Sequence, residues 1–118
     1  MALHMTIDET TVDVVWEENP SVEALRALCQ NGPLTISMSM YGGFEQVGPI
    51  GQHLSSNDSQ MMTQAGDAVL YAGDQIVVFY GSNAWAYTKL GHIVDKSDQE
   101  LKELLSNGDV TVTITAEQ

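Results

Sequence analysis

Short runs in which apolar and polar residues alternate occur along most of the chain, and they predict a β-rich fold. The clearest pair covers residues 68–71 and 75–80, which Ala72, Gly73 and Asp74 join as a tight hairpin. Gly73 provides the positive φ that such a short loop demands. Six further strands are predicted over residues 3–7, 11–17, 34–40, 60–63, 86–93 and 110–114.

Two segments carry the start signals of helices. Asn19 is an N-cap residue, and Pro20 follows at the first helical position, where its missing N–H is not needed. Ser97 and Glu100 have the spacing of a capping box. Eight strands and two helices in one small domain predict a mainly β fold, namely a closed or nearly closed eight-stranded β-barrel with the two α-helices capping its ends.

The strand pattern is interrupted in the middle of the chain. Gly42 and Gly43 follow a regular alternation, and a glycine pair within a strand predicts a bulge or a sharp bend. Residues 45–58, which include Pro49 and Gly51, are predicted to form a long connection between strands. A connection of this length in a compact domain is either functional or mobile.

Length and charge limit the classes of function that the chain can serve. With 118 residues, of which 43% are hydrophobic, residues 1–118 are predicted to fold as a single domain. The net charge is −12, and the four Lys and Arg side chains are too few and too scattered to bind a phosphate backbone. We therefore expect neither nucleic acid nor a membrane surface among its partners.

The N-terminal region and the single cysteine bear on location. The first five residues lack a basic segment and a long apolar one, so no signal peptide is predicted and the cytoplasm is the expected compartment. Met5 follows Met1 closely, and residues 1–4 are interpreted as an addition ahead of a native start. Cys29 has no second cysteine to pair with, and its apolar surroundings predict a buried structural thiol.

Candidate catalytic and metal-binding residues are sparse. His4, His53 and His92 lie far apart without a paired ligand motif, so no metal site is predicted. The chain has no glycine-rich phosphate loop and no nucleophile elbow, so neither a cofactor nor a catalytic residue is predicted. Glu45, next to Gln46 in the irregular segment, is the one acid that stands out, although a structural role is favoured for it.

The strand predicted over residues 75–80 presents an apolar surface outside the core. Side chains alternate between the two faces of a strand, so Gln75, Val77 and Phe79 share one face while the other packs inward. Because both faces are apolar, the Gln75 face is expected to be covered by residues 45–58, by a second copy of the chain in a homodimer, or by a ligand. The sequence leaves these alternatives open.

Four motifs resemble those of the small bacterial cyclophilin-like proteins, which have a cyclophilin-type barrel. They are YGGFE at residues 41–45, AGDAVLY at 65–71, IVVFYGSN at 76–83 and YTKLGHI at 87–93. A more distant similarity reaches the cyclophilins themselves, which are peptidyl-prolyl isomerases. Their Gly-x-Gln-Phe-Phe strand and following Trp resemble residues 73–77 and Trp85.

Departures from the cyclophilin pattern concern catalysis. Cyclophilins use an arginine in a Phe-His-Arg motif to favour the twisted prolyl amide, whereas the sole arginine here, Arg26, lies in the first predicted helix. Val77 stands where cyclophilins have the phenylalanine that floors the proline pocket, which implies a shallower pocket. The resemblance therefore implies a cleft that binds without efficient isomerisation.

The predicted function is a non-catalytic binding module for a peptide or a small organic ligand in an apolar cleft. The expected ligand-binding residues are Phe44, Gln46, Gln75, Val77, Phe79 and Trp85. One alternative is a weak peptidyl-prolyl cis-trans isomerase in which a glutamine replaces the usual arginine. Another is an enzyme for a small substrate, with Glu45 or His53 as its acid or base.

Overall fold

A computed structural model describes residues 2–117, which form eleven strands, two α-helices and one 3-10 turn. The strands are β1 Leu3–Ile7, β2 Thr10–Val12, β3 Val14–Trp16, β4 Leu34–Ser37, β5 Ser39–Tyr41, β6 Glu45–Pro49, β7 Ser59–Met62, β8 Asp67–Tyr71, β9 Gln75–Phe79, β10 Ala84–Ile93 and β11 Thr111–Ala116. The helices are α1 Pro20–Leu28, which continues into the 3-10 turn Cys29–Asn31, and α2 Asp98–Leu105. The prediction of a mainly β fold with two helices is confirmed.

The strands form two antiparallel sheets rather than one closed barrel. A four-stranded sheet has the order β2-β1-β11-β4, and a seven-stranded sheet has the order β3-β10-β8-β9-β6-β5 with β7 paired to β10. The predicted closure is therefore wrong, and the described residues form eleven strands where eight were expected.

Two breaks in the chain, together with the additional strand β6, account for the larger number of strands. Asp13 separates β2 from β3, and Met38 separates β4 from β5, so each of two predicted strands is divided between the two sheets. At these corners the backbone leaves the strand ladder. The N–H of Asp13 donates to the Asp95 carboxylate at 3.1 Å, and the N–H of Met38 donates to the carbonyl of Val110 at 2.9 Å.

The main core lies between the two sheets and beneath both helices. Strands of the four-stranded sheet contribute Met5, Ile7, Val112 and Ile114, all essentially buried. The seven-stranded sheet and the helices complete it with Ala68, Leu70, Ile76, Val78, Leu90, Ile93, Val22, Leu25, Leu101 and Leu105. Removal of these apolar side chains from water is the main force that stabilises the fold.

Both predicted helix starts are confirmed. The Asn19 side chain accepts a hydrogen bond from the N–H of Val22 at 2.9 Å, and its Nδ2 donates to the carbonyl of Lys89 at 2.9 Å. Ser97 and Glu100 form the reciprocal bonds of a capping box at the start of α2. Each cap satisfies backbone N–H groups that have no partner within the helix.

The prediction that residues 45–58 form one long connection is wrong in its first part, because residues 45–49 are strand β6. This strand was not predicted because Gly48 and Pro49 are both poor strand formers. Gly48 is required there: a Cβ at this position would lie 2.5 Å from the carbonyl oxygen of Ser37 on β4. The close approach of β4 and β6 therefore explains why a glycine stands at position 48, although this glycine makes β6 hard to recognise from the sequence.

Residues 50–58 follow β6 and pack against the hairpin turn between β8 and β9. The N–H groups of Ile50 and Leu54 donate to the carbonyls of Asp74 and Gly73, at 2.9 and 2.7 Å. Further along, the Ser55 carbonyl accepts from the hydroxyl of Ser21 on α1. The segment is thereby held at the turn and at the helix.

Replacing the N-cap residue tests the capping of α1. Asn19→Ala removes the bonds to Val22 and Lys89, and we expect the free energy of unfolding to fall by about 1 to 2 kcal/mol. Asn57→Ala serves as the control because its side chain is exposed. Urea unfolding monitored by circular dichroism measures both; equal stability of the two variants would contradict the capping role.

Candidate functional site

The seven-stranded sheet buries apolar side chains on its outer face as well as in the core. Val69 of β8, Val77 and Phe79 of β9 and Tyr87 of β10 form a separate buried group, here called the outer cluster. Alternation along each strand places them opposite the core residues. Phe44, Val47 and Met61 pack against the outer cluster and are only partly buried.

Phe44 is the side chain that covers this cluster, and the local backbone fixes its position. Its ring stacks on Phe79 at 6.4 Å between centroids and 13° between planes. Its carbonyl accepts hydrogen bonds from the N–H groups of Tyr80 and Gly81, both at 3.0 Å. Gly42 has φ +67°, and a Cβ there would lie 2.3 Å from the Phe44 ring. The predicted bend at the glycine pair is thus the β5–β6 hairpin turn.

A groove of about 540 Å³ opens beside these rings, and we call it the outer groove. Its volume falls within the range of about 300–1,000 Å³ that is typical of small-molecule sites. The lining residues are Tyr41, Phe44, Glu45, Val47, Tyr71, Gln75, Asn83, Trp85 and Tyr87. None of residues 50–58 lines it, so the part of the connection that follows β6 forms no wall of this groove.

Aromatic rings follow one another across the groove and its floor. Tyr41 meets Phe44 edge to face at 6.3 Å, and beyond the Phe44–Phe79 stack Phe79 meets Tyr87 at 5.6 Å and 70°. Tyr87 in turn contacts Tyr71 at 6.0 Å and 62°. At the rim, Tyr41 is 64% exposed and Trp85 is 55% exposed. Exposed rings beside a packed aromatic floor are typical of a binding surface.

Glu45 is the one acidic residue among those that line the groove, and it is only 6% exposed. Burial raises the pKa of its carboxyl to about 7, and no hydrogen bond or cation of the described residues offsets this effect. The Tyr87 pKa is also raised, mainly by burial and to a smaller extent by the Glu45 charge, while the hydrogen bond from Asn83 lowers it. When this carboxyl ionises, the described residues provide no donor or cation for it.

The structure brings together most of the predicted site residues. Phe44, Gln75 and Trp85 line the outer groove. Val77 and Phe79 lie beneath it, 1% and 0% exposed, as its packed floor.

Gln46 does not belong to this group. It is the neighbour of Glu45 on β6 and points to the opposite face, where its Nε2 donates to the carbonyls of Leu105 and Gly108 at 2.7 and 2.8 Å. The prediction that Gln46 belongs to the ligand site is therefore wrong. Its side chain is buried and links β6 to the end of α2 by hydrogen bonds. Gln46 was misplaced because the register of β6 was missed, and the expected ligand-binding residues also left out five residues that line the groove, namely Tyr41, Val47, Tyr71, Asn83 and Tyr87.

Cationic side chains of the described residues lie away from the groove. Arg26 pairs with Glu23 on α1, and Lys89 lies 3.8 Å from the Asp67 carboxylate. His53 is exposed and lies 3.9 Å from Asp74, so it does not join Glu45 in a common site. Within residues 2–117 no three His, Cys, Asp or Glu side chains are grouped as a metal site would require.

The chain belongs to the Cyclophilin-like family, whose sequence model matches residues 5–115. Neither a curated protein nor a solved structure matches it significantly. In the described part of the chain, both helices are too short and too polar to cross a bilayer.

Two glutamine variants separate the structural residue from the groove residue. Gln46→Ala leaves the buried carbonyl of Leu105 and the partly buried carbonyl of Gly108 without their donor, and we expect the free energy of unfolding to fall by about 2 to 4 kcal/mol. Gln75→Ala, at the groove wall, should change it by less than about 0.5 kcal/mol. Chemical denaturation measures both, and similar losses would contradict the assignment of Gln46 to the interior.

The raised pKa of Glu45 predicts a pH dependence of stability. The folded protein holds this proton more tightly than the unfolded chain between pH 4.5 and about 7, so stability falls as pH rises through that window. We expect a loss of about 1 to 3 kcal/mol that is complete above the folded pKa.

Glu45→Gln removes the ionising group, so this pH-dependent loss should disappear in the variant. Glu18→Gln alters an exposed carboxylate and should keep the wild-type profile. Unfolding free energies measured across the window decide the matter, and an unchanged profile in Glu45→Gln would refute the assignment.

Proposed function

We propose that this member of the Cyclophilin-like family is a non-catalytic binding module that holds a peptide or a small organic ligand in the outer groove. The observation that carries the proposal is the groove itself, about 540 Å³ in volume and left open beside the exposed rings of Tyr41 and Trp85. Exposed aromatic surface next to a concave site favours binding because each ring removes a large apolar area from water when it is covered.

The lining residues suggest separate roles. Tyr41 and Trp85 would cover the ligand from the rim, while Phe44 provides a wall that is held in place from below by Phe79. Gln75 would donate to or accept from a polar group of the ligand. Asn83 already donates through Nδ2 to the Tyr87 hydroxyl at 2.8 Å, which orients its own amide.

The same groove supports binding better than prolyl isomerisation. Rotation about a peptide bond crosses a barrier of ~18–20 kcal/mol, and catalysis requires selective stabilisation of the twisted amide. No Lys, Arg or His of the described residues lines the groove, and the ionised form of Glu45 would repel a carbonyl oxygen. A weak isomerase would have to rely on Gln75 or Asn83 as its donor.

A ligand screen with groove variants tests the proposal. Ligand-observed NMR with a fragment panel and short proline peptides should identify binders whose affinity falls about tenfold or more in Trp85→Ala. Val94→Ala removes an exposed apolar side chain outside the groove and should leave affinity unchanged.

Three outcomes would contradict the proposal. One is binding that is unaffected by Trp85→Ala, and another is a dimer in solution that buries Trp85 and excludes ligands. The third is catalysed exchange of the prolyl peptides that disappears in Gln75→Ala, which would establish the isomerase instead.

A further inference from the structure

The outer groove combines two features that attract positive charge. Its walls present the rings of Tyr41, Phe44, Tyr71 and Trp85, and the faces of such rings carry negative electrostatic potential. A carboxylate, that of Glu45, lies at the same groove. Each feature alone is common in proteins, but together they favour a ligand with a positive charge.

Glu45 lacks any compensating group within the described residues. A buried carboxylate that is neither paired nor hydrogen-bonded is costly, and native sites normally supply a donor or a cation for it. The groove lining contains no Lys, Arg or His. Lys89, on the same sheet, has its Nζ 3.8 Å from a carboxylate oxygen of Asp67. A ligand with a positive charge would provide a counter-ion for the Glu45 carboxylate.

We propose that the outer groove binds an organic cation, an alkylammonium or trimethylammonium head, with its charge against the aromatic rings and the Glu45 carboxylate as counter-ion. This inference rests on the proposed binding function and names the chemical class of its ligand. The cation is recognised by ring faces and one carboxylate, so it can belong to a small molecule or to a modified lysine side chain.

Other ligand classes fit the groove less well. A metal ion needs several converging oxygen or nitrogen ligands, and the described residues contain no such group. A neutral ligand would leave the ionised form of Glu45 without a counter-charge, and an anion would be repelled by it. The net charge of −12 also raises the local concentration of cations around the protein.

Ionisation of Glu45 couples the binding to pH. The titratable groups that line the groove together with Glu45 are the phenols of Tyr41, Tyr71 and Tyr87. A cation needs the carboxylate form, so affinity should rise as pH increases through a pKa of about 7. Binding of the cation should in turn lower that pKa.

The test compares two ligands of the same shape and different charge. The probes are the choline cation and its neutral isostere, in which a carbon atom replaces the quaternary nitrogen, each titrated by calorimetry or NMR below and above pH 7. Above it, we expect the cation to bind about tenfold or more tightly than the isostere, a difference of about 1.4 kcal/mol.

Variants identify the two recognition elements. Glu45→Gln should remove most of the preference for the cation together with its pH dependence, whereas Glu18→Gln should keep both. Trp85→Leu retains apolar area without the aromatic face, so it should weaken the cation more than the isostere. This second variant keeps the test decisive if Glu45→Gln does not fold.

A third arm distinguishes the source of the cation. Short peptides with trimethyllysine or norleucine at one position are compared with free choline; tighter binding of the trimethyllysine peptide would assign the head to a protein side chain. Equal binding of cation and isostere would overturn this inference alone. If no ligand, including the members of the fragment panel, binds in a way that depends on Trp85, the proposed function is overturned as well.

Discussion

The stacking of Phe44 on Phe79 is the contact on which the rest of the outer face depends. The seven-stranded sheet is apolar on both sides, and its inner side packs against the four-stranded sheet and the helices. On the outer side, Phe44, Val47 and Met61 are the partly buried hydrophobic residues that pack against the cluster. Because this cover is incomplete, the sheet retains a groove instead of a second sealed core.

The position of Phe44 also determines the environment of Glu45. The two residues are adjacent at the start of β6, so the turn that lays the Phe44 ring over Phe79 carries the neighbouring carboxylate into apolar surroundings. Burial then raises the pKa of Glu45, and the protein loses stability when the group ionises. A site that weakens the free protein in this way is suited to a ligand that relieves the unpaired charge.

Local signals in the sequence predicted local structure well, but they did not predict strand register or the way the strands assemble into sheets. The hairpin at Gly73 and the caps at Asn19 and Ser97 are confirmed because each depends on residues within a few positions. Alternation along one strand likewise predicted that Gln75, Val77 and Phe79 share a face. Gln46 was misplaced because its face depends on the register of β6, and a shift of one residue exchanges the faces. Sheet closure likewise depends on breaks at Asp13 and Met38, which no local pattern marks.

The most direct measurement is an NMR titration of the Glu45 side-chain carboxyl carbon in the free protein. We predict a midpoint of about 7, because the carboxylate lies beside the stacked rings without a partner. A midpoint near the ordinary glutamate value of about 4.3 would show that the carboxylate is hydrated or paired, and would contradict the central claim.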